Sequence, residues 1–199
     1  RFYLKQYEEE NNLILWVLFD VRESMLYGSG PVDDDGKPLV RKYDYACMAG
    51  CALAYLTLQQ QDSVGLATFD NQVRDFMRPS SPPSHLKQIV QVHTRSGGKE
   101  KSGLGAIFHD LADRLARRAI IVLLSDLFED PGDILNGLKY LRHKNHEVIV
   151  MHVLDRAELE FPFREATLFR GLEQWPDLLT DPRSLRDGYL AEMQAFQHE

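Results

Sequence analysis

Leu13 to Phe19 reads LILWVLF, an unbroken apolar run that stops at Asp20. A run of this length is too short for a buried helix of ordinary size and has the uniform hydrophobicity of a strand covered on both faces of a parallel sheet. The same signature returns at Ala119 to Leu124 (AIIVLL), which closes on Ser125 and Asp126. Working outward, Gly28 to Pro38 (GSGPVDDDGKP) concentrates the turn-forming residues and opens onto Tyr43 to Gln60, where apolar and small residues recur at helical spacing. Val64 to Phe69 is the next strand, and Val73 to Met77, across the Asp70-Asn71 turn, is its antiparallel edge partner. Leu86 to Val92 and Leu104 to Arg117 read as helices, with the loop Arg95 to Gly103 between them. Asp130-Pro131 starts a helix filled by Ile134 to His143, and Glu147 to Val153 is a further strand. In the tail, a hairpin around Ala166 to Thr180 and a helix from Pro182 to Phe196 are expected to complete the sheet edge and cover one face.

Strands alternating with helices define an α/β chain: an open, mostly parallel sheet of Rossmann type, helices on both faces, one antiparallel edge strand. Ligands of such sheets lie beyond the carboxyl ends of the strands. Asp20 and Asp126 each stand at that end of a buried strand, so neighbouring strands would bring both carboxylates to one rim.

The 199 residues carry 23 Lys and Arg against 30 Asp and Glu, a net charge of −7 without a basic run, which argues against a nucleic-acid partner. The length and 44% hydrophobic content suit one domain spanning 1–199. No stretch approaches the roughly 20 apolar residues of a membrane span. Cys47 and Cys51, one helical turn apart, do not suggest a disulfide framework, and a cytoplasmic setting is expected. Because Arg1 is not an initiator Met and the first residues read like the interior of a folded unit, the chain is expected to be the C-terminal part of a longer one.

Asp20-Val21-Arg22-Glu23-Ser24-Met25, with Ser102 and Asp126, is the leading candidate site, since carboxylates and hydroxyls on adjacent loops are the ligands a hard divalent cation takes. Other motifs are weaker. Asp33-Asp34-Asp35 lacks the alternating spacing of a calcium loop, and Glu8-Glu9-Glu10 is a charged lead-in. His143 and His146 have no intervening Glu and read as surface loop; His85 and His93 bracket a short helix without a partner; His109 and His152 read as packed or partly exposed imidazoles. No nucleophile elbow and no phosphate-binding glycine loop occurs.

These residues resemble the von Willebrand factor A-like fold and, within it, domain-of-unknown-function family 58. The resemblance is carried by YLKQYEEENNL (Tyr3 to Leu13), LFDVRESM (Leu18 to Met25), DSVGLATFD (Asp62 to Asp70), LLSDLFEDP (Leu123 to Pro131) and LRHKNHEVIVMHVLD (Leu141 to Asp155). It implies a metal-ion-dependent adhesion site in which Asp20, Ser24, Ser102 and Asp126 take the ligand places. Arg22 stands where that pattern has its middle Ser, and Gly103 follows Ser102 where an acid is usual. A guanidinium about 4 Å from a dication would cost roughly 4 kcal/mol at an effective dielectric of 20, so magnesium binding is expected to be weak or absent. The Arg22 side chain is expected instead in the ion's place, paired to Asp20 or Asp126 and offering donors to a partner acid.

Two functions follow. The first is a non-enzymatic protein-interaction domain with a degenerate adhesion site, its partner face formed by Asp20, Arg22, Ser24, Ser102 and Asp126. The resemblance implies an adaptor for a MoxR-type AAA+ ATPase in a chaperone-like system. The second is a magnesium-dependent hydrolase or phosphoesterase using Asp20 and Asp126, which Arg22 opposes.

Overall fold

The computed structural model describes residues 13–92, 104–172 and 175–198. Strands β1 (Ile14–Asp20), β2 (Ser63–Phe69), β3 (Val73–Ser80), β4 (Ile120–Ser125) and β5 (Glu147–His152) form one sheet in the order β3-β2-β1-β4-β5. All pairs are parallel except β2 with the edge strand β3. The helices are α1 (Lys42–Gln59), α2 (His85–Val92), α3 (Leu104–Arg114), α4 (Pro131–His143), α5 (Arg156–Glu160) and α6 (Pro182–His198).

Alternation along β1 divides the core into two layers. Leu15, Val17 and Phe19 face α1 and α2 with Val64, Leu66, Val122 and Leu124; Trp16 and Leu18 face α3 and α4 with Ala67, Phe69, Ile121 and Leu123. The seven-residue apolar run is therefore continuous because both its faces are inside. Helix α1 reaches the sheet through small residues: a Cβ on Gly50 would lie 2.3 Å from the Phe19 ring, so only glycine admits the approach that seats Ala46 and Ala54 on the strand. Gly137 does the same for α4 against Phe108.

Several elements differ from the sequence reading. β3 continues to Ser80 past Pro79, which an edge strand tolerates because the missing N–H faces no neighbour. Helix α3 ends at Arg114, since Leu115 and Ala119 are both buried and the chain must turn sharply between them to enter β4. The tail hairpin, β6 (Thr167–Phe169) with β7 (Leu178–Thr180), makes a separate two-stranded sheet and does not extend the main one, whose edges are β3 and β5. Helix α5 has no counterpart in the sequence reading. Its signal is the capping box Asp155-x-x-Glu158, in which each side chain accepts a backbone N–H from the other end of the turn. Among the described residues no helix is long and apolar enough to cross a membrane.

Candidate functional site

The strand order turns around β1 and β4: the chain leaves β1 toward β2 on one side and returns to β4 on the other. This switch point leaves a crevice at the carboxyl ends of β1 and β4, where Asp20 and Asp126 meet as the sequence predicted, both fully buried. The Val21 N–H donates to the Phe69 carbonyl at 2.8 Å, holding the chain to β2 for one residue beyond the strand. A single 3₁₀ turn, Glu23–Leu26, then reverses its direction.

That turn folds Arg22 back over Asp20. The Arg22 N–H donates to Asp20 Oδ1 at 3.0 Å, Nε lies 3.1 Å from each carboxylate oxygen, and Nη2 lies 2.8 Å from Oδ2. Nη2 also approaches Asp126 Oδ1 at 3.4 Å, while Nη1 is 3.4 Å from both the Phe128 carbonyl and Glu129 Oε2. Ser125 completes the Asp20 shell, donating from Oγ to Oδ2 at 2.7 Å and accepting the Leu127 N–H at 3.0 Å. Arg22 is 3% exposed. Its guanidinium donors are engaged within the chain, so they do not stand open to a partner acid in this conformation.

A second cation, unforeseen in the sequence, fills the rest of the crevice. Lys42, the first residue of α1, places Nζ 3.0 Å from Asp126 Oδ2 and 2.6 Å from Glu158 Oε1, and 4.8 Å from the centre of the Phe128 ring. Its position is set by the helix start, where Asp44 accepts the Arg41 N–H at 2.9 Å and grips the Arg41 side chain. Glu158 is held by α5, its other oxygen accepting the Asp155 N–H at 2.7 Å. No local pattern assigns Lys42, Ser125 or Glu158 to the crevice, because each acquires that role from a long-range contact.

Complete burial pushes the Asp20 carboxyl above the usual carboxylate range, against the pull of Arg22 and with a further push from the Asp126 charge. Burial likewise raises Glu158, with Lys42 opposing. The four oxygens of Asp20 and Asp126 are thus engaged by Arg22, Lys42 and Ser125, two of these donors being fixed cations. This donor set does not fit a divalent cation, which needs free oxygens and no adjacent positive charge.

Ser24 lies buried in the 3₁₀ turn, and its hydroxyl makes no hydrogen bond among the described residues. Ser102 and His93 lie outside the described residues, as do the lead-in Glu8-Glu9-Glu10 and most of Tyr3 to Leu13. Asp33-Asp34-Asp35 is exposed, with Asp33 accepting the N–H groups of Asp35 and Lys37, which makes it a self-capped turn. Two histidines correct the sequence reading. His85 is buried, with Nε2 2.9 Å from the Val64 carbonyl, because its helix packs on β2; His146 is also buried, because it closes the turn from α4 into β5. His152 Nε2 meets the Asp126 carbonyl at 2.9 Å, and both cysteines are free thiols.

Ser29 ties the β1–α1 loop to the far side of the crevice through its N–H, 3.0 Å from Asp155 Oδ2, and its hydroxyl on Oδ1. Burial works against ionisation of Asp155, but the Ser29 and Ala157 hydrogen bonds win and hold its carboxyl below the usual range. Such a group stabilises the fold fully above its unfolded pKa of about 3.9, and that contribution disappears as pH falls through the lower folded value. Asp155→Ala should therefore cost about 1 kcal/mol in urea unfolding at neutral pH, the usual worth of a helix cap, and progressively less in strong acid.

Fold and crevice together define an open α/β domain whose switch point is closed by its own side chains. The chain belongs to the family described as protein of unknown function DUF58, which matches residues 1–199. Among solved structures it is similar to an aerotolerance-related membrane protein from Bacteroides fragilis NCTC 9343 carrying multiple mutations to serines. That match has a TM-score of 0.54 and 16% identity, covering 91% of this chain and 87% of the other. It is also similar to the conserved hypothetical protein BatB from Bacteroides thetaiotaomicron, with TM-score 0.51, 12% identity, and coverage of 91% and 86%. At these identities the likeness is one of fold. No curated protein matches the chain.

Proposed function

We propose that this chain is a non-enzymatic protein-interaction domain of von Willebrand factor A-like type, in which the place of an adhesion-site metal is taken by Arg22 and Lys42. It would serve as an adaptor for a MoxR-type AAA+ ATPase chaperone system. The observation that carries this reading is the pair of buried cations set between Asp20, Asp126 and Glu158 at the switch point. Filled in this way, the crevice has no ion to which a partner carboxylate could bind, so docking falls to the surface around it. The β1–α1 loop beside the crevice offers Val32, Leu39 and Val40, each at least half exposed, next to the acidic turn at Asp33. An apolar centre with a charged rim is the usual composition of a specific interface.

The test is calorimetry with the intact protein. Mg²⁺ and Mn²⁺ should give no binding heat, and a purified MoxR-type ATPase should bind equally well with and without EDTA. Leu39→Asp should weaken that complex about tenfold or more. Tight Mg²⁺ binding by the wild type, or loss of the complex in EDTA, would overturn the reading and restore a metal-dependent site.

A further inference from the structure

Helix α1 is apolar around its whole circumference. Its inner face lies on the sheet through Ala46, Gly50, Ala54 and Leu58. Its outer face carries Tyr45, Met48, Tyr55 and Leu56, each between 49% and 60% exposed, with Ala52 and Gln59 exposed among them. No Lys, Arg, Asp or Glu occurs from Tyr45 to Gln61. Each of the other α-helices described shows water a charged side chain: Lys87 in α2, Asp110 in α3, Lys139 in α4, Glu160 in α5 and Asp187 in α6. A helix that is apolar on every side belongs inside something, whereas α1 has one face in the open.

The outer residues recur in a definite order. Tyr45, Met48, Ala52, Tyr55 and Gln59 follow steps of three, four, three and four, the spacing by which one helix seats against another. The order also survives reversal about Ala52, which brings Met48 to Leu56, Tyr45 to Gln59, and Tyr55 to the half-buried Ala49. Two copies of α1 crossing antiparallel at Ala52 would therefore set thioether against leucine, ring against methyl, and phenol against amide at each end. The central alanines allow the two axes to approach to about 8 Å. No charge meets a like charge, although each copy has a net charge of −7; even at the flank, Asp44 falls opposite Gln60. Each helix N-terminus meets the C-terminus of the other, where their dipoles attract.

We infer that the outer face of α1 is the contact through which two copies of this chain associate, as an antiparallel helix pair about a two-fold axis at Ala52. Closed two-fold pairs are the commonest assembly of identical chains. Fully exposed aromatic side chains present about 150–250 Å² each, so this half-exposed stripe offers roughly 500 Å² per copy, and pairing removes roughly 1,000 Å² from water. That area is at the lower end for specific interfaces and fits a reversible pair with a Kd on the order of 10 µM. A lipid surface fits less well, since a helix lying on a bilayer turns a Lys- and Arg-rich face to water, and here the opposite face is buried on the sheet. The contact uses neither the Asp20 crevice nor the β1–α1 loop, and neither proposal depends on the other.

Sedimentation equilibrium of the intact protein from about 1 to 200 µM should show reversible exchange between monomer and dimer near that Kd. Ala52→Glu and Ala52→Lys each place a charge against its own copy on the axis, and each should weaken the pair at least about a hundredfold. Both exchange an exposed alanine for another good helix former, so the urea midpoint should hold. An equimolar mixture of the two variants should pair about as tightly as wild type, because opposite charges then face one another across the axis. A wild type that stays monomeric throughout would overturn the proposal. So would a monomer that co-sediments with phosphatidylserine vesicles, which would assign the stripe to a lipid surface. A dimer unaffected by Ala52→Glu would overturn the α1 contact, and a mixture no tighter than either variant alone would overturn the axis at Ala52.

Discussion

Arg22→Ala is expected to destabilise the protein by about 3–5 kcal/mol, read as a lower urea midpoint with an unchanged slope. The large figure comes from what the substitution leaves behind. Asp20 is fully buried and receives the side-chain nitrogens Nε and Nη2 of Arg22; without them a carboxylate remains in the interior with only the Ser125 hydroxyl and the backbone N–H of residue 22 as donors among the described residues. Arg22→Lys should not recover the loss, because an ammonium cannot span Asp20, Asp126 and the Phe128 carbonyl at once. Asp20→Asn in the Arg22→Ala background should recover part of it, since the residual cost is a charge without a partner. A double-mutant cycle on these two residues measures their coupling directly. If Arg22→Ala unfolds at the wild-type midpoint, the guanidinium does not hold the crevice together.

Lys42→Met is expected to cost a similar 3–5 kcal/mol, with a dependence on pH that Arg22→Ala shares only through Asp20. Removing the ammonium leaves Asp126 and Glu158 facing one another across the space it occupied. Glu158 already titrates above its ordinary range because it is buried, and Lys42 is what restrains it. A carboxyl raised in the folded state contributes stability below its unfolded pKa, about 4.3, and loses that contribution as pH climbs through the folded value. The substitution moves the folded value still higher. The deficit of Lys42→Met relative to wild type should therefore be small near pH 4 and grow steadily toward about pH 8, measured by urea unfolding across that range. A deficit independent of pH would mean that the lysine acts through its packed stem and not through its charge.

The two strands that carry the acids were legible because a strand buried on both sides has nowhere to put a polar residue, and the first acid after it marks its end. That logic located Asp20 and Asp126 and, once the strands proved adjacent, brought them together. It could also place Arg22, two residues on, since a short turn allows the side chain to reach back to the acid before it. Lys42 and Glu158 were beyond reach for the opposite reason. They lie 84 and 116 residues from the groups they engage, measured from Lys42 to Asp126 and to Glu158, and a lysine at a helix start looks the same whether it faces water or a buried acid. His146 was misread by a related ambiguity: a turn between a helix and a strand is usually wet, and only packing decides otherwise. The tail hairpin forms where the turn residues indicate, but its standing apart from the main sheet's edge was not legible, since strands of three residues carry too little alternation to name the sheet they join.

An ion in a crevice is a tenant, present or absent as its concentration dictates, and an interface built around it can be switched by chelation, by transport or by competition. Arg22 and Lys42 are tethered to the backbone on either side of the β1–α1 loop. Their charges arrive when the chain folds and depart only when it unfolds. On the reading proposed above, a domain organised in this way would not respond to the divalent ions around it, because the positive charge in its crevice belongs to the chain itself.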